Sequence, residues 1–331
     1  MPISFSKSLQ NAIAARTDLF GENHASAFRL FNGFLEGNPN LAIDIYGRTV
    51  VIHNYADSPA EGEALVEQAK VFLLSEFNWL HAIIVKTRKG KTSQKKNGIF
   101  IFGERADDRI REHGVWYSVD LMMNRDASLY LDTRSLRRWA IDNLAGKTVL
   151  NTFAYTGSLG VAAHAAGAER VIQTDLSKKF LNVGKTSYTL NGFAINKKDF
   201  QTADFWAKTN QFKRAGEIFD CVFLDPPFFA DTKKGRIDLN QSSAKLINKV
   251  RPLIADSGYL VAINNALFVS GAEYMQTLEE LCKDGYLEIE ELLPVPEDFT
   301  GYDETRVGHP PVDPTPFNHS TKIAVLRVRR K

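Results

Sequence analysis

Between residues 148 and 330 short apolar strand signals alternate with helix signals, and that alternation restricts the fold more than any other feature of the chain. Strands are expected at TVLNTFA, RVIQTD, AINKKDF, FDCVFLDPP, YLVAINN, LEIEELL and TKIAVLRVRR, seven in all. Helices are expected at SLGVAAHAA, SKKFLNVGKTSYTLN and ADFWAKTNQ, near residues 240–253, and from Ser270 onward. A chain of this order forms an α/β doubly wound sheet with helices on both faces. Ser177 after an acidic strand end, and Ser270 with Glu273 as a capping box, mark helix starts, while Gly167 and Gly285 mark helix ends.

The chain ahead of this region has another rhythm. Residues 39–54, NLAIDIYGRTVVIHNY, read as two strands around Tyr46-Gly47-Arg48, and Ser58-Pro59 opens a helix carrying Leu65, Ala69, Phe72 and Leu73. HAIIVKT and GIFIFGE follow as strands on either side of a polar loop, Arg88 to Asn97. The expectation is a smaller α+β domain over residues 1–114 and an α/β domain over 115–331, opening with VWYSVDL and a helix at LDTRSLRRWAIDNL. A length of 331 residues suits two domains of about 150 residues each.

Composition excludes several classes. With 44% hydrophobic and 24% charged residues the chain is an ordinary globular protein. It lacks an apolar run of roughly 18 to 20 residues and a basic-then-apolar leader, so a soluble, cytoplasmic protein without a membrane partner is expected, as monomer or homodimer. Cys221 and Cys282 stand apart from CxxC or His-rich company, which suggests neither a disulfide framework nor a zinc site, and no metal is expected. A net charge of +2 gives no global field for a polyanion, so any nucleic-acid surface has to be local. Three basic clusters qualify: Lys86 to Lys96, then Lys233, Lys234 and Arg236, then the tail Arg327, Arg329, Arg330 and Lys331. The proline-rich stretch Pro294 to His319 reads as a lid or binding loop.

In an open parallel sheet ligands sit outside the carboxyl ends of the strands. Three such ends carry chemistry here. In Asn151-Thr-Phe-Ala-Tyr-Thr-Gly-Ser-Leu-Gly160, Gly157 permits a tight turn at a helix start, although the pattern is not GxGxxG. Asp175, followed by Leu176, ends the next strand 18 residues after Gly157, close to the roughly 20-residue offset at which a carboxylate meets a ribose diol. The third, Phe219 to Phe229, delivers Asp225, Pro226, Pro227 and Phe228 to the ligand side, where a carboxylate, rigid carbonyls and an aromatic face suit a nucleobase.

On these residues the segment from about 115 to the end resembles class I S-adenosylmethionine-dependent methyltransferases with their Rossmann-like seven-stranded sheet, in particular bacterial 23S ribosomal RNA large-subunit methyltransferases of the guanine-N7 and cytosine-C5 types. NTFAYTGSLG is similar to their cofactor loop, LDTRSLRR to their Leu-Asp-x-Arg segment, FLDPPFF to their Asp-Pro-Pro motif, and RLFNGFLEGNPNLAIDIYG to a segment of the domain that precedes catalysis. The resemblance implies S-adenosyl-L-methionine as cofactor, with Asn151, Phe153, Tyr155, Thr156 and Gly157 around its methionine moiety and Asp175 and Leu176 at its ribose. It places Asp204 and Phe205 at the adenine, Arg134 at the cofactor or an RNA phosphate, and Asp225 to Phe228 at the junction of methyl donor and acceptor. Asn264 and Asn265, with Lys233 and Lys234, would meet the RNA substrate.

Two departures from the family matter. Members often begin with an RNA-binding PUA domain, and the roughly 25 residues before Ala27 are too few for one, so that RNA docking either relies on the N-terminal α+β unit or is weak. Relatives that methylate cytosine C5 place a thiolate after the fifth strand to add at C6, whereas here that segment is Val261-Ala-Ile-Asn264-Asn265-Ala-Leu. Cys221 lies roughly 13 Å back along its strand, at about 3.3 Å per residue, and reads with Cys282 as core. What remains is direct methylation of a nitrogen or oxygen: guanine N7 needs only positioning, while an exocyclic amine needs its hydrogens accepted. His164, His309 and His319 read as structural. Rival readings are a methyltransferase for a small molecule or protein, and a catalytically silent RNA- or ribosome-binding protein; a nicotinamide oxidoreductase would lack its GxGxxG.

Overall fold

The computed structural model describes residues 4–232 and 235–330. They fall into two compact units, Met1–Leu131 with Pro296–Pro310, and Asp132–Val295 with Pro311–Lys331.

The first unit is built on a five-stranded sheet of β1 (Ala27–Asn32), β2 (Leu41–Tyr46), β3 (Thr49–Asn54), β4 (Ala82–Thr87) and β5 (Ile99–Phe102) in that order. Helices α1 (Phe5–Ala15), α2 (Gly33–Glu36), α3 (Pro59–Glu76) and α4 (Ser93–Asn97) accompany it. Alternation along the strands sends Leu30, Ile43, Ile45, Val50, Ile52 and Ile83 into one core with Leu9 of α1 and Val66, Ala69 and Leu73 of α3. Ser58 caps α3 by accepting the Glu61 N–H at 3.4 Å, and Pro59 takes the first helical position as read from sequence. The opposite face of the sheet carries a buried polar group among apolar residues such as Val51 and Ile84: Arg29, Asp44 and His53 are hydrogen-bonded across β1, β2 and β3 at 2.8 and 3.1 Å.

Three features of this unit differ from expectation. VWYSVDL does not open the doubly wound sheet. Val115–Ser118 (β7) instead pairs with Arg109–Glu112 (β6) in a two-stranded hairpin of the first unit, so a boundary drawn after residue 114 falls inside that hairpin. Lys86 is no part of a basic surface, because it is fully buried and donates to the carbonyls of Asn97 and Asn124 at 2.6 and 2.7 Å. Within the proline-rich stretch, residues 296–310 are anchored here by buried Asp298, whose Oδ2 accepts the Arg29 N–H at 2.8 Å.

The second unit contains a seven-stranded sheet, with six of its strands where they were expected. The seven are β8 (Thr148–Thr152), β9 (Arg170–Asp175), β10 (Phe200–Thr202), β11 (Phe219–Leu224), β14 (Ile254–Asn264), β15 (Leu287–Leu293) and β16 (Lys322–Val328), in the spatial order β10-β9-β8-β11-β14-β16-β15. The first five are parallel and β16 runs antiparallel to both β14 and β15. A small hairpin, β12 (Phe229–Thr232) with β13 (Gly235–Asp238), follows β11.

Helices α5 (Arg134–Asn143), α6 (Ser158–Ala165) and α7 (Lys178–Leu190) bury Leu136, Val161 and Leu181 on one face. Helices α8 (Phe205–Ala215), α9 (Leu239–Val250) and α10 (Gly271–Cys282) bury Phe212, Leu246 and Leu278 in the core of the other. The capping box of α10 is formed as read: Ser270 accepts the Glu273 N–H at 3.2 Å and Glu273 accepts the Ser270 N–H at 2.8 Å. AINKKDF is not a strand. Asn196 accepts the Lys198 N–H at 3.1 Å and turns residues 197–199 into a 3₁₀ helix, so that β10 begins only at Phe200.

Candidate active site

Strand register brings the chemical residues to one edge. Thr152 pairs with Thr174 of β9 and Leu224 of β11, Asp175 pairs with Thr202, and Leu224 pairs with Ala262. The chain moves outward from β8 in one direction through β9 and β10, then in the other through β11 and β14. The loops after Thr152 and Leu224 therefore flank the point where strand order reverses, where such sheets hold ligands.

The loop after β8 is tightly constrained. Phe153, Tyr155 and Gly157 all take left-handed backbone angles, with φ of 52°, 50° and 76°. For the two aromatic residues this costs on the order of 1–3 kcal/mol each and persists only where neighbours enforce it. Ala154 N–H donates to the Thr174 carbonyl at 2.9 Å, Tyr155 N–H to Asp175 Oδ2 at 2.9 Å, and Gly157 N–H to the Ala154 carbonyl at 2.7 Å. Beneath the loop lies buried Gln173, whose Oε1 accepts from Asn151 Nδ2 at 3.4 Å. A Cβ on Gly157 would stand 2.4 Å from that Oε1, and one on Gly160 2.5 Å from the amide carbon, so both glycines are needed for the loop to lie on Gln173. Thr156 is buried, and the Tyr155 ring meets Phe180 edge-on at 4.6 Å.

Asp175 uses each carboxylate oxygen once, accepting from Tyr155 N–H and, at 2.7 Å, from Ser177 N–H. Burial raises its pKa above the ordinary value and these bonds pull it back. The Leu176 N–H also faces this carboxylate, and since a carboxylate has about four lone-pair sites, acceptor capacity is left for a ribose hydroxyl. Leu176 beside it is 61% exposed. Asp204 caps α8 through Oδ1, which accepts the Ala207 N–H at 3.0 Å, while its Oδ2 is buried with no hydrogen-bond partner. An orphaned acceptor of this kind fits a ligand amine. Phe205, expected beside Asp204 at the ligand, belongs to the core: it is 5% exposed and stacks on Phe153 at 4.6 Å.

At the end of β11, Pro226 is buried, Pro227 exposed and Phe228 41% exposed. Burial, and second to it the charge of Asp132, pushes the Asp225 carboxyl up to about 7. Asp132 is in turn held by Thr321, whose hydroxyl donates to its Oδ2 at 2.8 Å. Arg134 opens α5 two residues further on. At neutral pH Asp225 is thus divided between a form that donates and a form that accepts a proton.

Other expected site residues are placed differently. Asn264 is 1% exposed, donating to Ser243 Oγ at 3.1 Å and accepting the Ala266 N–H at 2.9 Å, so its amide holds the end of β14; Asn265 is exposed. Lys233 and Lys234 lie outside the described residues. The tail is no free basic patch, because Arg327 pairs with Glu290, Arg329 with Glu288 at 3.0 Å, and Arg330 donates to the Ile254 carbonyl at 2.8 Å. Cys221 is fully buried, and burial raises the pKa of both thiols. His164 stacks on Tyr188 at 4.8 Å, and Thr321 N–H donates to His319 Nδ1 at 3.0 Å, both structural. Among the described residues no group of three or more His, Cys, Asp or Glu could hold a metal, and no helix is long and apolar enough to cross a membrane.

Sequence reasoning missed Gln173, Asp132 and Thr321. Asp132 sits in the Leu-Asp-x-Arg segment next to a singled-out arginine, and a search for carboxylates at both ends of that motif would have found it.

A family model described as S-adenosylmethionine-dependent methyltransferase matches residues 94–307. A Bacillus subtilis protein provisionally named a ribosomal RNA large subunit methyltransferase is 31% identical over 308 residues, covering 89% of this chain and 75% of its own. A Photobacterium profundum protein named ribosomal RNA large subunit methyltransferase I is 30% identical over 254 residues, covering 74% of this chain and 64% of its own. A solved structure, provisionally described as that of a methyltransferase and complexed with SAH, superposes with a TM-score of 0.81 at 23% identity, over 98% of this chain and 81% of that one.

Proposed function

Because the chain belongs to the S-adenosylmethionine-dependent methyltransferase family, matched over residues 94–307, we propose that it methylates a nucleobase nitrogen of ribosomal RNA by direct transfer, with no covalent cysteine intermediate. The enzyme uses S-adenosylmethionine. RNA as acceptor is supported by the names of the Bacillus and Photobacterium relatives, of whose own lengths the chain spans 75% and 64%.

The residues present fit this cofactor. Asp204 Oδ2, buried without a partner, suits the amino group of adenine, and the spare lone pairs of Asp175 suit the ribose hydroxyls. The strained loop from Asn151 to Gly157, with Phe153, Tyr155 and Thr156, would hold the methionine end, Leu176 would border the ribose, and Arg134 would meet a carboxylate or phosphate. When bound, the cofactor supplies an electrophilic methyl group on a sulfonium.

The single observation that carries the nitrogen reading is the Asp225 carboxyl at the end of β11, ahead of Pro226 and the exposed ring of Phe228, at the sheet's point of reversal; burial, which raises its pKa to about 7, suits it to take a proton. Phe228 offers a stacking face for a base taken out of its helix. The Asp225 carboxylate and the Pro226 carbonyl accept the hydrogens of an amine, and the carboxylate takes the proton released as the new N–C bond forms. That preference favours a nitrogen bearing a proton over guanine N7, which needs only positioning. Asn265, Lys233 and Lys234 remain proposed contacts to RNA. The test is transfer of radiolabelled methyl from the cofactor to ribosomal RNA purified from cells lacking the protein; a labelled protein fraction with unlabelled RNA would overturn the RNA reading.

A further inference from the structure

The first unit carries an aromatic and cationic cluster that methyl transfer itself does not use. Phe34, in α2, is 45% exposed, and its ring meets Tyr55 edge-to-face with centroids 4.8 Å apart and planes at 73°. Over the Tyr55 ring, 5.3 Å from its centroid, stands the guanidinium of Arg88. Arg88 Nη1 donates to Asp126 at 2.7 Å and Nη2 to Tyr55 Oη at 3.4 Å, while Nε is buried without a hydrogen-bond partner. His53, 3% exposed, lies 6.4 Å from the Tyr55 ring. Its Nε2 is engaged by the Asp44 carboxylate at 3.1 Å and its Nδ1 has no partner. Burial and the nearby guanidinium groups hold the imidazole in its neutral form, so the proton on Nε2 leaves Nδ1 an acceptor.

One small region therefore combines an exposed aromatic face, a guanidinium plane over a second ring, an unused N–H and an unused ring nitrogen. The chain leaving Arg88 runs directly into Lys89, Lys91 and Lys95, all exposed, with Lys89 paired to the exposed carboxylate of Asp57. Exposed lysines beside a stacking platform match the alternation of phosphate and base along a single strand. An acidic peptide would use the lysines and leave the rings idle, and an apolar partner would use the rings and leave the lysines idle.

We propose that Phe34, Tyr55 and Arg88 form a docking site for one unpaired nucleobase of the RNA, at a nucleotide other than the one methylated, with the lysines of residues 89–95 on its flanking phosphates. This rests on the reading that RNA is the substrate. The site gives the α+β unit an RNA-docking role and sets affinity for RNA without touching the methyl-transfer chemistry.

The experiment compares the full-length wild type with Phe34→Ala, Phe34→Trp and Arg88→Gln in RNA binding and in steady-state methylation of ribosomal RNA. Loss of one base–aromatic stack predicts RNA affinity at least about fivefold weaker in Phe34→Ala. KM for RNA should rise to match, with kcat and S-adenosylmethionine affinity unchanged. Phe34→Trp should bind like the wild type, which a merely structural role of the ring would not predict. Arg88→Gln should weaken binding and flatten its dependence on salt. If the wild type methylates RNA and Phe34→Ala does so with unaltered KM, the docking site is wrong and the substrate reading stands; if the wild type neither binds nor methylates RNA, both fall.

Discussion

The backbone N–H of Tyr155 donates to Oδ2 of Asp175 at 2.9 Å, which ties the loop after β8 to the end of β9. The carboxylate that would meet the ribose thus also sets the left-handed turn at Tyr155, whose φ is 50°. Removing it should open the loop and remove the diol contact together.

Asp175→Ala should therefore weaken S-adenosylmethionine by about 100-fold or more, since hydrogen bonds to a charged group contribute about 1.5–3 kcal/mol each. Calorimetric titration of wild type and variant with S-adenosylhomocysteine checks this. Binding within a few fold of wild type would remove Asp175 from the cofactor site.

Gly157→Ala places a methyl group 2.4 Å from Gln173 Oε1 at a φ of 76°. We expect a loss of about 1–3 kcal/mol in stability from the strained backbone and forced side-chain shift, along with weaker cofactor binding. Gly192→Ala, also at positive φ but with open space around its Cβ, should cost less. Denaturant unfolding of the two variants compares the contributions.

Asp225 ties rate and stability to pH in opposite senses. As a proton acceptor it must be ionised, so kcat/KM should rise with pH and level off above about 7, and Asp225→Asn should lower it about 10²-fold or more. Its folded pKa lies above the unfolded value, so its favourable contribution to stability is complete below about pH 4 and is lost as pH climbs to about 7. Asp225→Asn should accordingly be more stable than wild type at pH 8, by up to about 4 kcal/mol, with the gain vanishing near pH 4. A pH–rate profile alongside melting curves at both pH values reads the two effects separately.

The double substitution Cys221→Ala, Cys282→Ala should keep kcat within about twofold at a temperature where it remains folded, because Cys221 is a buried strand residue and neither thiol is ionised at neutral pH. A fall of several orders of magnitude, or trapping of wild type by an RNA analogue that captures thiolate adducts, would require a covalent route.

The sheet was legible because its strands are apolar runs bounded by turn residues, and because strand ends are where an α/β sheet exposes carboxylates such as Asp175 and Asp225. AINKKDF misled because Asn196 can satisfy the backbone of a turn as well as a strand can. Asn264 misled for a related reason: a polar residue at a strand end looks like a substrate contact, and only the fold reveals that Ala266 and Ser243 consume its amide. Gln173 acts beneath Gly157, a partner distant in sequence, so no local pattern marks it, whereas Asp132 stands in the Leu-Asp-x-Arg segment and only its partner Asp225 is distant. Lys86 reads as part of a basic run by position, yet carbonyls from two other segments enclose it.

The most direct test of the central claim is nucleoside mass spectrometry of large-subunit ribosomal RNA incubated with the purified enzyme and deuterium-labelled S-adenosylmethionine. The account predicts one nucleoside carrying a labelled methyl group on a base nitrogen, formed by the enzyme with both cysteines replaced and strongly reduced by Asp225→Asn. Label found only on carbon C5 of a pyrimidine, or on no nucleoside at all, would contradict it.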